Sequence, residues 1–395
     1  MFKSSGFPKL LGATLMLSTA LLLPKPALAA DPGVTATEIL IGMASPLTGP
    51  QALVGTSERD AIEIGIDEIN KKGGIKGRKL RLIAYDDAGS PQEALAAVRR
   101  LVDQDAVFAL IAGSSSGATL ATMPIINRAR VPFIASIISH RNLFNPPAPT
   151  TFRVYSMETP QAEKLVAFSL KEFGLKKPAM IHTTSDHGLG GVEAVTEELK
   201  RSNMKLVATE RYNPDTQDFS AQLLRIRESG ADGLYVWALA HEAGVIVRQA
   251  KELGINVPMF GGGATTTALF PRTAGPAAVG FSSPWVFPHT EEMVEVPAVA
   301  AYRELLKARY PNGFPPSRPS LYDLAGYGAL KILAEGLNRI DGEPTRAKLV
   351  SAIETFKNFD TGVLFPVTYT PTDHEGSRDV SIITVDKDLA WKIRK

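Results

Sequence analysis

Val107-Phe108-Ala109-Leu110-Ile111-Ala112-Gly113-Ser114-Ser115-Ser116-Gly117 joins an unbroken apolar run to a small, hydroxyl-rich turn. A helical pattern, Thr119 to Arg130, follows directly. The run from Val107 to Ala112 has no polar side, which predicts a strand covered on both faces, as in a parallel sheet. The same alternation extends outward in both directions. Pro132 to Ser136 reads as the next strand and Leu80 to Tyr85 as the previous one. Between them Ser90-Pro91-Gln92-Glu93 forms a capping box with proline in the first turn. The helix it starts buries Leu95, Val98, Leu101 and Val102. Further out, Ile39 to Met43 reads as the first strand. Thr56 and Ser57 are expected to cap a helix striped by Ile62, Ile66 and Ile69 and ended by Gly73-Gly74.

The rhythm restarts after Pro146-Pro147. Helices are expected over Glu158–Phe173, Gly190–Arg201, Phe219–Glu228 and Glu242–Leu253, with strands over Ala179–Thr183, Lys205–Glu210, Gly233–Ala238 and Val257–Phe260. Strands alternating with helices of this length predict parallel sheets wound by right-handed crossovers. Two such runs predict an α/β fold of two doubly wound lobes. From Pro284 onward strands thin out and prolines multiply; Val296–Tyr310 and Leu321–Leu337 are the clearest helices.

The first thirty residues differ in kind. Lys3 and Lys9 precede an uncharged apolar run, Leu10 to Leu23, which Pro24-Lys25-Pro26 ends before Ala27-Leu28-Ala29. A basic start, a short apolar core and small residues at alternate positions predict a signal peptide over residues 1–29, cleaved after Ala29. The run is shorter than the ~20 residues a spanning helix needs. The mature chain is therefore expected in the periplasm. Cysteine is absent, which excludes a disulfide framework, and a chain of 395 residues can bury a large core without one. The 43 basic residues balance 41 acidic ones without a charge block, so no nucleic-acid partner is expected.

The turn Gly113–Gly117 is the strongest candidate site. Ligands of open α/β sheets bind beyond the carboxyl ends of the strands. There the first helical N–H groups lack partners and the helix dipole favours an anion. Hydrogen bonds to a carboxylate contribute ~1.5–3 kcal/mol each and the dipole ~0.3–2 kcal/mol, against about 8 kcal/mol for micromolar affinity. The pentad also fits G-x-S-x-G, a nucleophile elbow with Ser115 as nucleophile. A serine esterase would then need Asp323 and His374, which follow in the required order. The six histidines (His140, His182, His187, His241, His289, His374) form no ligand pair, so neither a metal nor another cofactor is expected. His187 follows a strand's carboxyl end, and Gly261-Gly262-Gly263 follows another.

Asp67-Glu68-Ile69-Asn70, then Gly73-Gly74-Ile75-Lys76-Gly77 and the strand running to Asp86-Asp87, resembles the leucine/isoleucine/valine-binding proteins of ABC importers. The likeness continues through the serine cluster and, more loosely, through Arg248-Gln249-Ala250 and Leu253-Gly254 to the end. It implies the type I periplasmic-binding fold, with a ligand cleft between lobes 31–157 plus 285–364 and 158–284 plus 365–395. It implies a membrane permease as partner and a monomeric shuttle. The hydroxyls that grip the ligand carboxylate in that family fall on Ser116 and Ser139, beside Ser115 and Gly117. The carbonyl that accepts from the ligand amine falls on Ile137, and the pocket tyrosines fall near Val54, His187 and Leu239. The acid that pairs with the amine falls on Gly263, which has no side chain. The resemblance thus keeps the carboxylate end and loses the amine end, since a buried ammonium without a countercharge costs several kcal/mol. The expected ligand is an aromatic or aliphatic acid without an amine. A branched-chain amino acid or amide is the alternative, with Asp186 or Glu242 replacing the missing acid.

Overall fold

The computed structural model describes residues 1–2, 31–113, 115–288, 296–314 and 318–394. The expected signal peptide, apart from its first two residues, and Ser114 and His289 lie outside them. The first run consists of β1 (Glu38–Ser45), α1 (Ala52–Lys71), β2 (Lys79–Asp86), α2 (Pro91–Asp103), β3 (Ala109–Ala112), α3 (Ser116–Ala129), β4 (Phe133–Ala135) and β5 (Thr151–Arg153). The second consists of α4 (Glu158–Phe173), β6 (Pro178–Thr183), α5 (Asp186–Arg201), β7 (Ala208–Tyr212), α6 (Ser220–Glu228), β8 (Gly233–Trp237), α7 (Ala240–Glu252), β9 (Met259–Gly261), α8 (Leu269–Ala274) and β10 (Ser282–Trp285). The last stretch adds α9 (Pro297–Arg309), α10 (Leu321–Arg339), α11 (Arg346–Ile353), β11 (Ser381–Val385) and β12 (Trp391–Ile393).

Two sheets result, ordered β2-β1-β3-β4-β5 and β12-β11-β10-β9-β8-β6-β7. The first is parallel throughout; the second is parallel from β7 to β10 and antiparallel over β11 and β12. Every residue of β3 is buried, as an apolar strand between two helical layers must be. The chain then returns to each half. Helix α10 packs along α1, and glycine permits the close approach: a Cβ at Gly65 would lie 2.5 Å from Leu330, and one at Gly326 2.9 Å from the Glu58 carbonyl. Strand β11 returns to β10 instead, and Trp285 pairs with Ser381 there.

Several local expectations shift. The N-cap of α2 forms at Ser90, which accepts from the Glu93 amide at 3.5 Å with Pro91 in the first turn, while the Ser90 amide donates to the Asp87 carbonyl rather than to Glu93 as a capping box requires. Thr56 and Ser57 do not cap α1. The helix starts at Ala52, and Thr56 lies inside it, donating its hydroxyl to the Ala52 carbonyl at 2.6 Å. Helix α3 begins at Ser116 rather than Thr119, and α5 at Asp186 rather than Gly190. Glycines in those first turns hid the starts, because their weak helix propensity is overridden by packing. Among the described residues no helix is long and apolar enough to cross a membrane.

Candidate functional site

The carboxyl ends of both sheets face one cavity of ≈ 420 Å³. The first turns of α1, α2, α3, α5, α7 and α10, with the residues that precede them, all reach it. Parallel βα units force this convergence, since each strand delivers its helix start to the same edge.

Helix α3 brings Ser115, Ser116 and Gly117 into the lining. Ser115 is its N-cap but makes no side-chain capping bond, and no acid occupies the first turn. The dipole and leading N–H groups are therefore uncompensated by that helix's own side chains. Val54 from α1, Ile137 and Ser139 from the loop after β4, His187 from α5 and Leu239 before α7 also line the cavity. Sequence-predicted residues from both halves thus meet in one place.

Gly263 does not line it; its neighbour Ala264 does. The Gly263 amide donates to Gln161 Oε1 at 3.1 Å, and a Cβ there would meet Gln161 Oε1 and the Tyr155 hydroxyl, each at 2.6 Å. Both of those residues line the cavity, so neutral polar groups cover the place where the family's acid would stand. Burial pushes the Tyr155 phenol far up, so it stays protonated.

Acids enter from other elements. Asp186, Asp215 and Glu242 line the cavity, and among the described residues no lysine or arginine joins them there. Glu242 is occupied in part, accepting from the Tyr212 hydroxyl at 3.0 Å and the Leu239 amide at 3.2 Å. The Asp186 carboxylate lies against Gly117, where a side chain would collide with its Oδ2. Ser139 is also engaged. Its hydroxyl donates to Glu158 Oε1 at 2.6 Å, while the Glu158 amide donates to the Ser139 carbonyl at 3.1 Å. Glu158, Tyr155, Gln161 and Tyr322 carried no signal in the sequence; partners distant along the chain, such as Gly263 for Gln161 and Phe287 for Tyr155, surround them only once it folds.

Deeper in the first half, Glu58 accepts from Ser45 at 3.2 Å and from Ser136. Burial pushes its carboxyl up to about 7, and burial likewise raises Asp87 to about 6.

The esterase arrangement does not assemble. His374 engages both ring nitrogens away from the cavity, with the Thr151 carbonyl at 3.0 Å and Glu354 at 3.2 Å, and it stacks on Phe152. Asp323 caps its own helix through the Ser320 amide at 2.7 Å and is held by Arg318 and Tyr302. Neither residue reaches the cavity that Ser115 lines. Among the described residues no group of three or more His, Cys, Asp and Glu is placed to hold a metal ion.

Two wound sheets with helix starts converging on one cleft define a type I periplasmic-binding fold. The family model described as periplasmic binding protein matches residues 38–390, and the chain belongs to that family. It is similar to the Leu/Ile/Val-binding protein BraC3 of Rhizobium johnstonii, with 26% identity over 87% of this chain and 91% of the relative. A periplasmic binding protein type 1 from Bordetella pertussis superposes with a TM-score of 0.80 at 25% identity, covering 90% of this chain and 99% of that one. The fold is shared too with a fatty acid ABC transporter substrate-binding protein from Thermomonospora curvata, at a TM-score of 0.82, 21% identity and 93% coverage of each chain. The chain is accordingly a solute-binding protein of the ABC-importer class.

Proposed function

We propose that this protein captures a small monocarboxylate with an apolar body and delivers it to the membrane permease of an ABC importer. The observation that carries the reading is the first turn of α3, which enters the cavity with no acid and no side-chain cap of its own. A carboxylate there would receive the leading N–H groups and the hydroxyls of Ser115 and Ser116, charge-assisted bonds that lobe closure would strengthen by excluding water. Val54, Ile137 and Leu239 supply apolar wall for the remainder. The absence of a side chain at Gly263, with neutral Gln161 and Tyr155 in front of it, removes the acid that would call for an amine.

Capture would proceed by closure of lobes 31–157 plus 285–364 and 158–284 plus 365–395, with the protein acting as a monomer exported by its signal peptide. A second reading, an amino acid, is favoured by one observation: Asp186 and Glu242 line the cavity and could face an ammonium. The relatives named for leucine, isoleucine and valine fit that reading as well. Titration calorimetry with benzoate-like and branched aliphatic acids against leucine separates the two. The proposal expects micromolar binding of at least one acid; tight leucine binding with no response to any acid would reverse it.

A further inference from the structure

We propose that Glu158, which stands outside the cavity lining, sets the polarity of the ligand's second polar contact and so acts as a positioning residue for specificity. The inference rests on the carboxylate reading above. Ser139 and Glu158 clasp each other by two hydrogen bonds: Ser139 Oγ to Glu158 Oε1 at 2.6 Å, and Glu158 N to the Ser139 carbonyl at 3.1 Å. Both residues are buried, at 4% and 2% exposure, so water does not compete for the hydroxyl proton. A serine hydroxyl has one proton to give. With that proton directed at Glu158, Ser139 Oγ meets the ligand only with lone pairs.

His187 extends the pattern. Its Nδ1 lies 3.7 Å from the same Glu158 Oε1, and its Nε2 is buried without a hydrogen-bond partner. In the tautomer that carries its proton on Nδ1, the nitrogen facing Glu158, Nε2 offers a lone pair. Ser139 Oγ, and His187 Nε2 in that tautomer, are then acceptors carried by two residues that line the cavity. A carboxylate oxygen placed against them would set acceptor on acceptor. The ligand that fits presents its carboxylate to α3 and a hydrogen-bond donor, hydroxyl or ammonium, to Ser139 and His187. A plain acid leaves those acceptors unpaired in a dry site, a loss of about tenfold or more in affinity.

The test measures affinity by calorimetry for two matched trios: 4-methylpentanoate, 2-hydroxy-4-methylpentanoate and leucine; and 3-phenylpropanoate, 3-phenyllactate and phenylalanine. The methyl ester of the best binder completes the set. In the unmodified protein the hydroxy or amino acid is expected to bind at least ~10-fold tighter than its plain partner, and the better of the two identifies the donor. In Glu158→Gln the amide can donate to Ser139 Oγ and free the hydroxyl proton, so the preference should fall within ~3-fold. Equal or tighter binding of the plain acids by the unmodified protein overturns the proposal, whether or not the variant folds. An unchanged preference in a folded Glu158→Gln overturns it too. An ester that binds as well as its acid refutes the carboxylate reading alone, while a surviving donor preference upholds the role of Glu158. No binding by any member overturns both.

Discussion

Gly117 and Ser116 are the residues on which the α3 contact turns. Asp186 Oδ2 occupies the space where a Cβ at residue 117 would stand. Gly117→Ala must therefore push the Asp186 carboxylate away, and ligand affinity is expected to change while the melting temperature holds. Ser116→Ala removes one charge-assisted donor, and carboxylate affinity should fall about tenfold by calorimetry. Glu58 gives a separate pH signature. Burial lifts its carboxyl from 4.5 to about 7. Between those values the folded chain holds a proton that the unfolded chain has released, so stability falls as pH rises through this window and levels off above it. The contribution is on the order of 3 kcal/mol. Glu58→Gln should flatten the slope of denaturation midpoint against pH between about 4.5 and 7; an unchanged slope would place the titrating group elsewhere. Glu158 marks the limit of reading by residue type. In sequence it is an ordinary acid in a helical first turn, and only its contact with Ser139, made when the chain folds back, gives it a role.

Elements differ in how plainly they were written. Strands β3 and β8 are buried throughout, so the demand for apolar residues at every position left a continuous run in the sequence. Strand β10, Ser282-Ser283-Pro284-Trp285, carries no such run, yet it is buried as well. Its hydroxyls are satisfied locally, Ser283 by the carbonyls of Gly261 and Gly262 at 3.0 and 2.8 Å, and Ser282 with Thr384 at 2.8 Å. Hydrogen bonding stands in for hydrophobicity there, and periodicity cannot detect it. The α1–α10 pair depends on absent side chains at Gly65 and Gly326. Gly65→Val should cost ~1–3 kcal/mol by overpacking, read as a lower midpoint in denaturant with an unchanged slope. The Arg318 network beside it is more sensitive. Arg318 pairs with Asp60 at 2.8 Å and with Asp323 at 2.5 Å, all three nearly buried. Asp323→Ala leaves part of that charge uncompensated and should cost ~3–5 kcal/mol.

At the scale of the whole molecule, the two wound runs were legible because alternation of strand and helix repeats over the length of the chain. The return of α10 to α1 and of β11 to β10 follows from no local pattern, and only likeness to a family announced it. The site was legible on the α3 side, where strand, serine-rich turn and helix are adjacent in sequence. On the facing wall His187 was legible behind a strand end, and Leu239, Asp186 and Glu242 through the family likeness, whereas Gln161 was not, because only the fold sets it against Gly263. Arg141 lies 3.1 Å from both Glu193 and Glu197 on α5, linking the loop after β4 to the second half. All three side chains are well exposed, so the link contributes at most ~1 kcal/mol and weakens with salt. Arg141→Ala should leave ligand affinity within about threefold, which makes the cleft contacts rather than this rim pair the source of capture.

A crystal structure with the tightest-binding acid tests the central claim most directly. The account predicts a carboxylate oxygen about 2.7–3.2 Å from the first-turn amides of α3, at Ser116 or Gly117, with the apolar body against Val54, Ile137 and Leu239. A carboxylate held elsewhere in the cleft, with another ligand group or Asp186 alone at that turn, would contradict it.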